Sequence, residues 1–397
     1  MYSGKKIGIV VICLLAVSAA AVGFFRASGS VKNVARLIVA SCARSGIDHS
    51  ACYEAEVPAL YPKMSVAQIF EVVREIRALD VSYQFCHVLG HKIGERVVAE
   101  DPAQWVDMLS LTPPEGVCSN GYVHGVTVGR FRSEVLDDAT IEKFIPQFSL
   151  ACSNSAKWSP SDLDREGCYH GLGHLFDFIT NTDIPKALSI CSRAVPSDFR
   201  HFCFDGVFMQ IFRPREPEDF LMIQQLPVQP TKATVGQFCR SFEDSQYVGA
   251  CIRESWPFFR DEILSGSGVE ALCAAEPDVT ERKYCYGIEF STIGRAYVAE
   301  PGKAVSACLH VPEDQQSSCV VTVAQILLEE DRTNAMGAMA FCQSIPTESL
   351  AAECLSGIVN RSVYIFGTDE REFGAFCRPL PGVLKDRCDA LQRSAAK

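Results

Sequence analysis

Uncharged residues run without a break from Ile7 to Phe25, between Lys5-Lys6 and Arg26. A helix of that length spans roughly 28 Å, just enough for a bilayer core. The run also passes Ala19-Ala20-Ala21, small residues of the kind found at a signal-peptide cleavage site. Residues 1–26 are therefore expected to be a signal-anchor or signal peptide. The uncleaved transmembrane anchor is favoured, because Val22, Gly23, Phe24 and Phe25 continue the apolar run. No second apolar run of that length follows, so the remainder is expected to be soluble. In either case the body is expected on the exported side of a membrane: a periplasm, an organelle lumen or the extracellular space.

Beyond residue 26 the apolar positions follow a helical period and strand signals are nearly absent. Helical runs end in a cysteine, as in Ala187-Leu188-Ser189-Ile190-Cys191, Val269-Glu270-Ala271-Leu272-Cys273 and Phe373-Gly374-Ala375-Phe376-Cys377. A proline follows four or five residues later, at Pro196, Pro277, Pro312, Pro346 and Pro381. Proline there ends one helix, and neighbouring Asp, Ser, Thr or Glu residues can cap the next. That second helix carries another cysteine near its start, commonly with glycine three positions on, as at Gly171, Gly206 and Gly357. Glycine inside a helix costs about 1 kcal/mol relative to alanine, so its recurrence predicts close helix packing at that level.

The cysteines consequently fall in pairs: Cys191/Cys203, Cys239/Cys251, Cys273/Cys285, Cys308/Cys319, Cys342/Cys354 and Cys377/Cys388, preceded by the wider Cys152/Cys168. From Cys168 the second members recur at steps of 35, 48, 34, 34, 35 and 34 residues. A period in the mid-thirties indicates stacked supersecondary units. The long step holds an insertion, residues 213–230, bounded by proline and expected to be a surface loop. Each unit reads as an antiparallel helix hairpin stapled across its turn, at about 2–3 kcal/mol per bridge on the chain-entropy account. Cys42/Cys52 reads as another local pair, and Cys86 with Cys118 as a link between neighbouring second helices. The predicted fold is all-α: disulfide-stapled helix hairpins stacked as a right-handed α-solenoid or closed into a helical array. In period the array resembles tetratricopeptide repeats, although their Trp, Leu, Gly and Tyr signature positions are not reproduced. No function follows from that resemblance. The expected organisation is residues 1–26 as the N-terminal segment, 27–212 as histidine-rich repeats, 213–230 as the insertion and 231–397 as cysteine-stapled repeats.

Composition sharpens this picture. The chain has 397 residues, 48% of them hydrophobic, which excludes disorder as the main state. A net charge of −11, with no basic run, excludes a nucleic-acid partner. Of 19 cysteines, Cys13 lies in the N-terminal hydrophobic segment. The others form an even set suited to disulfides in an oxidising compartment.

Candidate chemistry gathers in the first repeats, where six of the eight histidines lie between His87 and His201. Aligned on their second cysteines, Asn120/His124, His170/His174 and His201/Asp205/Met209 form parallel columns, since residues four apart share one side of a helix. His87 and His91 add another such pair. Imidazoles at this spacing can reach one ion about 2.0–2.1 Å from each, and a neighbouring helix can complete the shell. The candidate metal ligands are His87, His91, His124, His170 and His174. Glu95, Asp177 and Asp205 are candidate carboxylates for ligation, for orienting imidazoles or, in the first two cases, for general-base work. With the cysteines oxidised, the set suits zinc, copper(II) or iron rather than copper(I), bound as one ion or two. The competing possibility is that these histidines hydrogen-bond across repeats as partly buried polar residues. His49 and His310 stand outside the pattern.

Other chemistry is weakly represented. Gly171-Leu172-Gly173 and Gly266-Ser267-Gly268 lack the strand–loop–helix context of a phosphate loop. No Gly-x-Ser-x-Gly or Cys-x-x-Cys occurs. The later repeats keep the cysteines but place Arg253, Pro257, Ser291, Gln325 and Asn360 in the corresponding columns. The functional expectation is an exported, membrane-anchored metalloprotein for redox or dioxygen chemistry or for metal handling. A protein partner is expected on the C-terminal repeats. The alternative is a non-catalytic scaffold for protein–protein interaction.

Overall fold

A computed structural model describes residues 30–395 apart from 81, 84–85, 114–116, 119–120, 132–133, 156, 215–219, 221–222, 225, 275 and 331. The N-terminal segment, residues 1–26, lies outside the described residues. Among the described residues no helix is long and apolar enough to cross a membrane. All of the regular structure described is helical, with no strand among the described residues, in agreement with the all-α expectation. Two compact units divide between Leu89 and Gly90.

The first unit holds α1 (Val31–Ser45), α2 (His49–Glu56) and α3 (Val66–Leu79). Ser30 and Ser65 start α1 and α3 by accepting from the amides of Asn33 and Gln68, and Gln68 returns the bond to the Ser65 amide. Each cap satisfies amides that the first helical turn otherwise leaves unpaired. Cys42–Cys52 staples α1 to α2, and α1 packs along α3 over a core that includes Ile38, Ile69, Val73 and Ile76. Helix α4 (His87–Val98) begins just before the division and continues into the second unit.

In the second unit α5 (Trp105–Leu109), α6 (Gly121–Phe131), α7 (Asp138–Ala151), α8 (Asp162–Ile179), α9 (Ile184–Ala194) and α10 (Arg200–Phe212) lead to the insertion. After it come α11 (Val235–Cys239), α12 (Ser245–Glu254), α13 (Arg260–Leu264), α14 (Val269–Cys273), α15 (Val279–Ala296) and α16 (Pro301–His310). The chain ends in α17 (Glu313–Glu330), α18 (Ala335–Gln343), α19 (Glu348–Phe366), α20 (Glu370–Cys377) and α21 (Gly382–Ala395). Seven bridges staple successive hairpins: Cys152–Cys168, Cys191–Cys203, Cys239–Cys251, Cys273–Cys285, Cys308–Cys319, Cys342–Cys354 and Cys377–Cys388. Cys86 and Cys118 are disulfide-bonded as well, so every cysteine among the described residues is oxidised. The turns use the chemistry that the prolines announced. Asp278, directly after Pro277, caps α15 by accepting from Thr280 and Glu281.

Helices α8, α10, α12, α15, α17 and α19 pack in succession, and α19 packs back against α8. The repeats of this unit therefore close on themselves, the second of the two stacking arrangements expected from the sequence. A buried clasp joins the ends. Arg332, just after α17, pairs with Asp164, the same carboxylate that accepts from the Ser161 amide and hydroxyl at the start of α8. Gly367, which ends α19 at φ +53°, lies over Ser161, where a Cβ would come within 3.0 Å of the Ser161 Cβ.

The interior of the array is not wholly apolar. Glu289 on α15 is fully buried, and neither carboxylate oxygen has a hydrogen-bond partner. Burial first, and then the nearby Glu254, hold its pKa well above the usual carboxylate range, against the pull of Arg213. Between the ordinary glutamate pKa and this raised value, the folded chain keeps a proton that the unfolded chain releases, so stability falls as pH rises. Glu289→Gln is expected to make that fall shallower by up to about 1.4 kcal/mol per pH unit. Urea unfolding of both proteins at stepped pH values measures it, and parallel stability curves would contradict it.

Candidate metal centre

Glycine lets the histidine-bearing helices touch. A Cβ on Gly125 of α6 would lie 2.0 Å from the His91 carbonyl oxygen, and one on Gly94 of α4 2.3 Å from that of Tyr122. Only residues without a Cβ permit such a crossing. It brings the His91 and His124 rings to a centroid separation of 5.2 Å, edge to face. His87 lies one turn before His91 on α4. Nitrogen atoms of His87, His91 and His124 all lie within 4.8 Å of one another. Such a set could hold a metal ion, with the rings drawing together until each nitrogen lies about 2.0–2.1 Å from it.

The other candidate pair, His170 and His174, sits on α8 with ring centroids 4.9 Å apart. Their centroids lie 5.6 and 5.3 Å from that of His124. The five histidines named from the sequence therefore form one contiguous cluster, but they do not converge as five ligands on a single point. The close nitrogen group is His87, His91 and His124. His170 and His174 abut it through the His124 ring and have partners of their own. His174 Nδ1 donates to Gln210 Oε1 at 2.7 Å, and His170 Nε2 lies 3.0 Å from Met209 Sδ.

Hydrogen bonds set the tautomers. His124 Nε2 donates to the Gly167 carbonyl at 3.1 Å, which makes Nδ1 its lone-pair nitrogen. In His174 the donation through Nδ1 makes Nε2 the lone-pair nitrogen. Burial holds His170 well below the ordinary histidine pKa, reinforced by His174 and His124, so it is the neutral imidazole that a metal requires. One turn earlier on the same stripe of α8 stands Glu166. Burial first and then Glu329 raise its pKa well above the usual carboxylate range, against Arg295 and Arg361. Glu166 stands one turn from His170 on that stripe. Its i, i+4 spacing to His170 was the available sequence signal.

The carboxylates proposed from sequence have different surroundings. Asp205 accepts from Arg253 Nε at 2.6 Å and belongs to a buried ion network, not to the histidine cluster. Glu95 accepts from Lys92 at 3.5 Å, and Asp177 is buried on α8. His201 leaves the expected column. Its ring stacks on Tyr284 at 4.1 Å, and burial with Arg253 nearby pushes its pKa down to about 3. His49 pairs with Asp80 at 2.7 Å, and His310 Nδ1 donates to the Ser306 carbonyl at 2.7 Å.

Gly171 makes room for the central ring, since a Cβ there would lie 2.6 Å from His124 Cδ2. Gly171→Ala is expected to displace that ring and weaken metal binding at least tenfold while leaving the helix content unchanged. A metal titration beside circular dichroism checks this, and wild-type affinity in the variant would contradict it. Compared with known family models, curated proteins and solved structures, the chain matches none.

Proposed function

We propose that the chain is an exported, membrane-anchored helical-repeat metalloprotein that binds a transition-metal ion through His87, His91 and His124. The carrying observation is the convergence of three imidazole nitrogens within 4.8 Å. Three protein nitrogens leave positions open for water, substrate or an exchanging ligand, as catalytic sites do and closed structural sites do not. A nitrogen set suits zinc, copper(II) or iron. Redox or dioxygen chemistry and metal capture are the uses that such an open site supports. The oxidised cysteines support placement in an oxidising, exported compartment.

The test is a competition titration of the untagged, oxidised full chain with zinc or copper(II) against a chromophoric chelator. Beside it runs the His87→Ala/His91→Ala double variant. The proposal expects at least a hundredfold loss of affinity in the variant with unchanged helix content. Equal affinity in the two folded proteins would sink it.

A further inference from the structure

We propose that His170, His174 and Met209 form a second, softer metal site that takes copper(I), beside the nitrogen-only set of His87, His91 and His124. The inference deepens the metal reading above, since it assigns the other half of the same histidine cluster. Helices α8 and α10 cross at glycines: a Cβ on Gly173 would lie 2.1 Å from the Cys203 carbonyl oxygen, and one on Gly206 2.1 Å from that of His170. With the backbones in contact, Met209, three residues past Gly206, brings Sδ to 3.0 Å from His170 Nε2. His174 follows His170 by one turn with the rings 4.9 Å apart, and its donation to Gln210 through Nδ1 places the ring's lone pair on Nε2.

Met209 and His174 are both buried, at 7% and 8% exposure. A methionine used only as packing would be expected to set its sulfur among apolar or aromatic groups. Here the sulfur accepts from His170 Nε2 at 3.0 Å, so a copper(I) ion held by both atoms would take the place of that proton, the ring shifting to its Nδ1–H tautomer. Thioether with imidazole is a donor set that selects copper(I), whereas zinc and iron favour nitrogen, oxygen or thiolate. With every described cysteine oxidised, thiolates do not compete as soft donors. The thioether supplies a soft donor that the expectation of zinc, copper(II) or iron, drawn from oxidised cysteines, did not include.

The experiment is an anaerobic copper(I) titration of the full chain against bicinchoninate, with X-ray absorption at the copper edge. It compares the wild type, Met209→Leu and His87→Ala/His91→Ala, each shown to be folded by circular dichroism. Leucine conserves volume at position 209, so the fold is expected to persist. Wild-type protein is expected to bind copper(I) with a sulfur neighbour. Met209→Leu is expected to lose that neighbour and at least tenfold in affinity, while the double histidine variant keeps both. A wild-type spectrum without sulfur, or unchanged affinity in Met209→Leu, overturns the proposal. Zinc titration of the same samples separates the two readings. Zinc lost only in the double histidine variant supports the first site, and no zinc in any sample defeats that site alone if the copper–sulfur signal remains.

Discussion

Arg253→Ala is expected to cost about 3–5 kcal/mol of stability, the usual result of breaking a buried ion pair by removing one partner. Arg253 is fully buried on α12. Its Nε lies 2.6 Å from Asp205 on α10, a second nitrogen pairs with Glu281 on α15, and its guanidinium stands 5.5 Å from the Tyr284 ring centroid. One cation therefore ties three successive helices of the closed array. Alanine would leave two buried carboxyls facing a cavity with no compensating charge. Burial already pushes Asp205 and Glu281 upward, and Arg253 is the main opposing influence on both. Without it their folded pKa values rise further. A group raised in the folded state loses stability as pH increases, so the deficit of the variant must grow with pH and shrink on acidification. Urea unfolding at pH 5 and pH 8 measures this. A loss below about 1 kcal/mol, or one independent of pH, would contradict the account.

If His87, His91 and His124 hold an ion as proposed, His124→Ala is expected to abolish most of the binding. The ring is buried at 3% exposure, held by its Nε2 bond to Gly167, and in contact with His91, His170 and His174. It is both a member of the close nitrogen group and the bridge to the second histidine pair. Its loss should cost at least hundredfold in affinity for zinc or copper(II). His124→Asn, which keeps a polar side chain in the buried slot, separates the loss of a ligand from the loss of packing. Both variants should lose the ion if the imidazole is a ligand. Retention of metal by folded His124→Asn would show that His124 only packs.

Much of the architecture was legible because its determinants are local. A disulfide across a turn leaves a constant spacing, and the proline and the capping Asp or Ser lie within a few residues of it. The pairs from Cys152/Cys168 onward and the Cys42–Cys52 pair follow from that spacing alone. Closure of the array was not legible in the same way. At the closure Arg332 meets Asp164, 168 residues away, and a single arginine after a helix carries no local mark of its partner. The histidine columns predicted that His91, His124, His170 and His174 would meet, because i, i+4 spacing and the glycines set the faces of their helices. The same alignment placed His201 and Asp205 with them, yet Arg253 and Tyr284 claim those two side chains. Electrostatic competition from another repeat was invisible to a pattern built on helical period. Gln210 and Glu166 were overlooked because each acts through a neighbour: Gln210 orients His174, and Glu166 titrates against Glu329 and Arg295 from across the array.

The central claim is tested most directly by counting metal ions per chain in the untagged, oxidised full-length protein after reconstitution with zinc, copper(II) or iron and removal of unbound ion. The account predicts at least one equivalent of a single transition metal retained. Folded protein with all disulfides formed and no retained metal would contradict it.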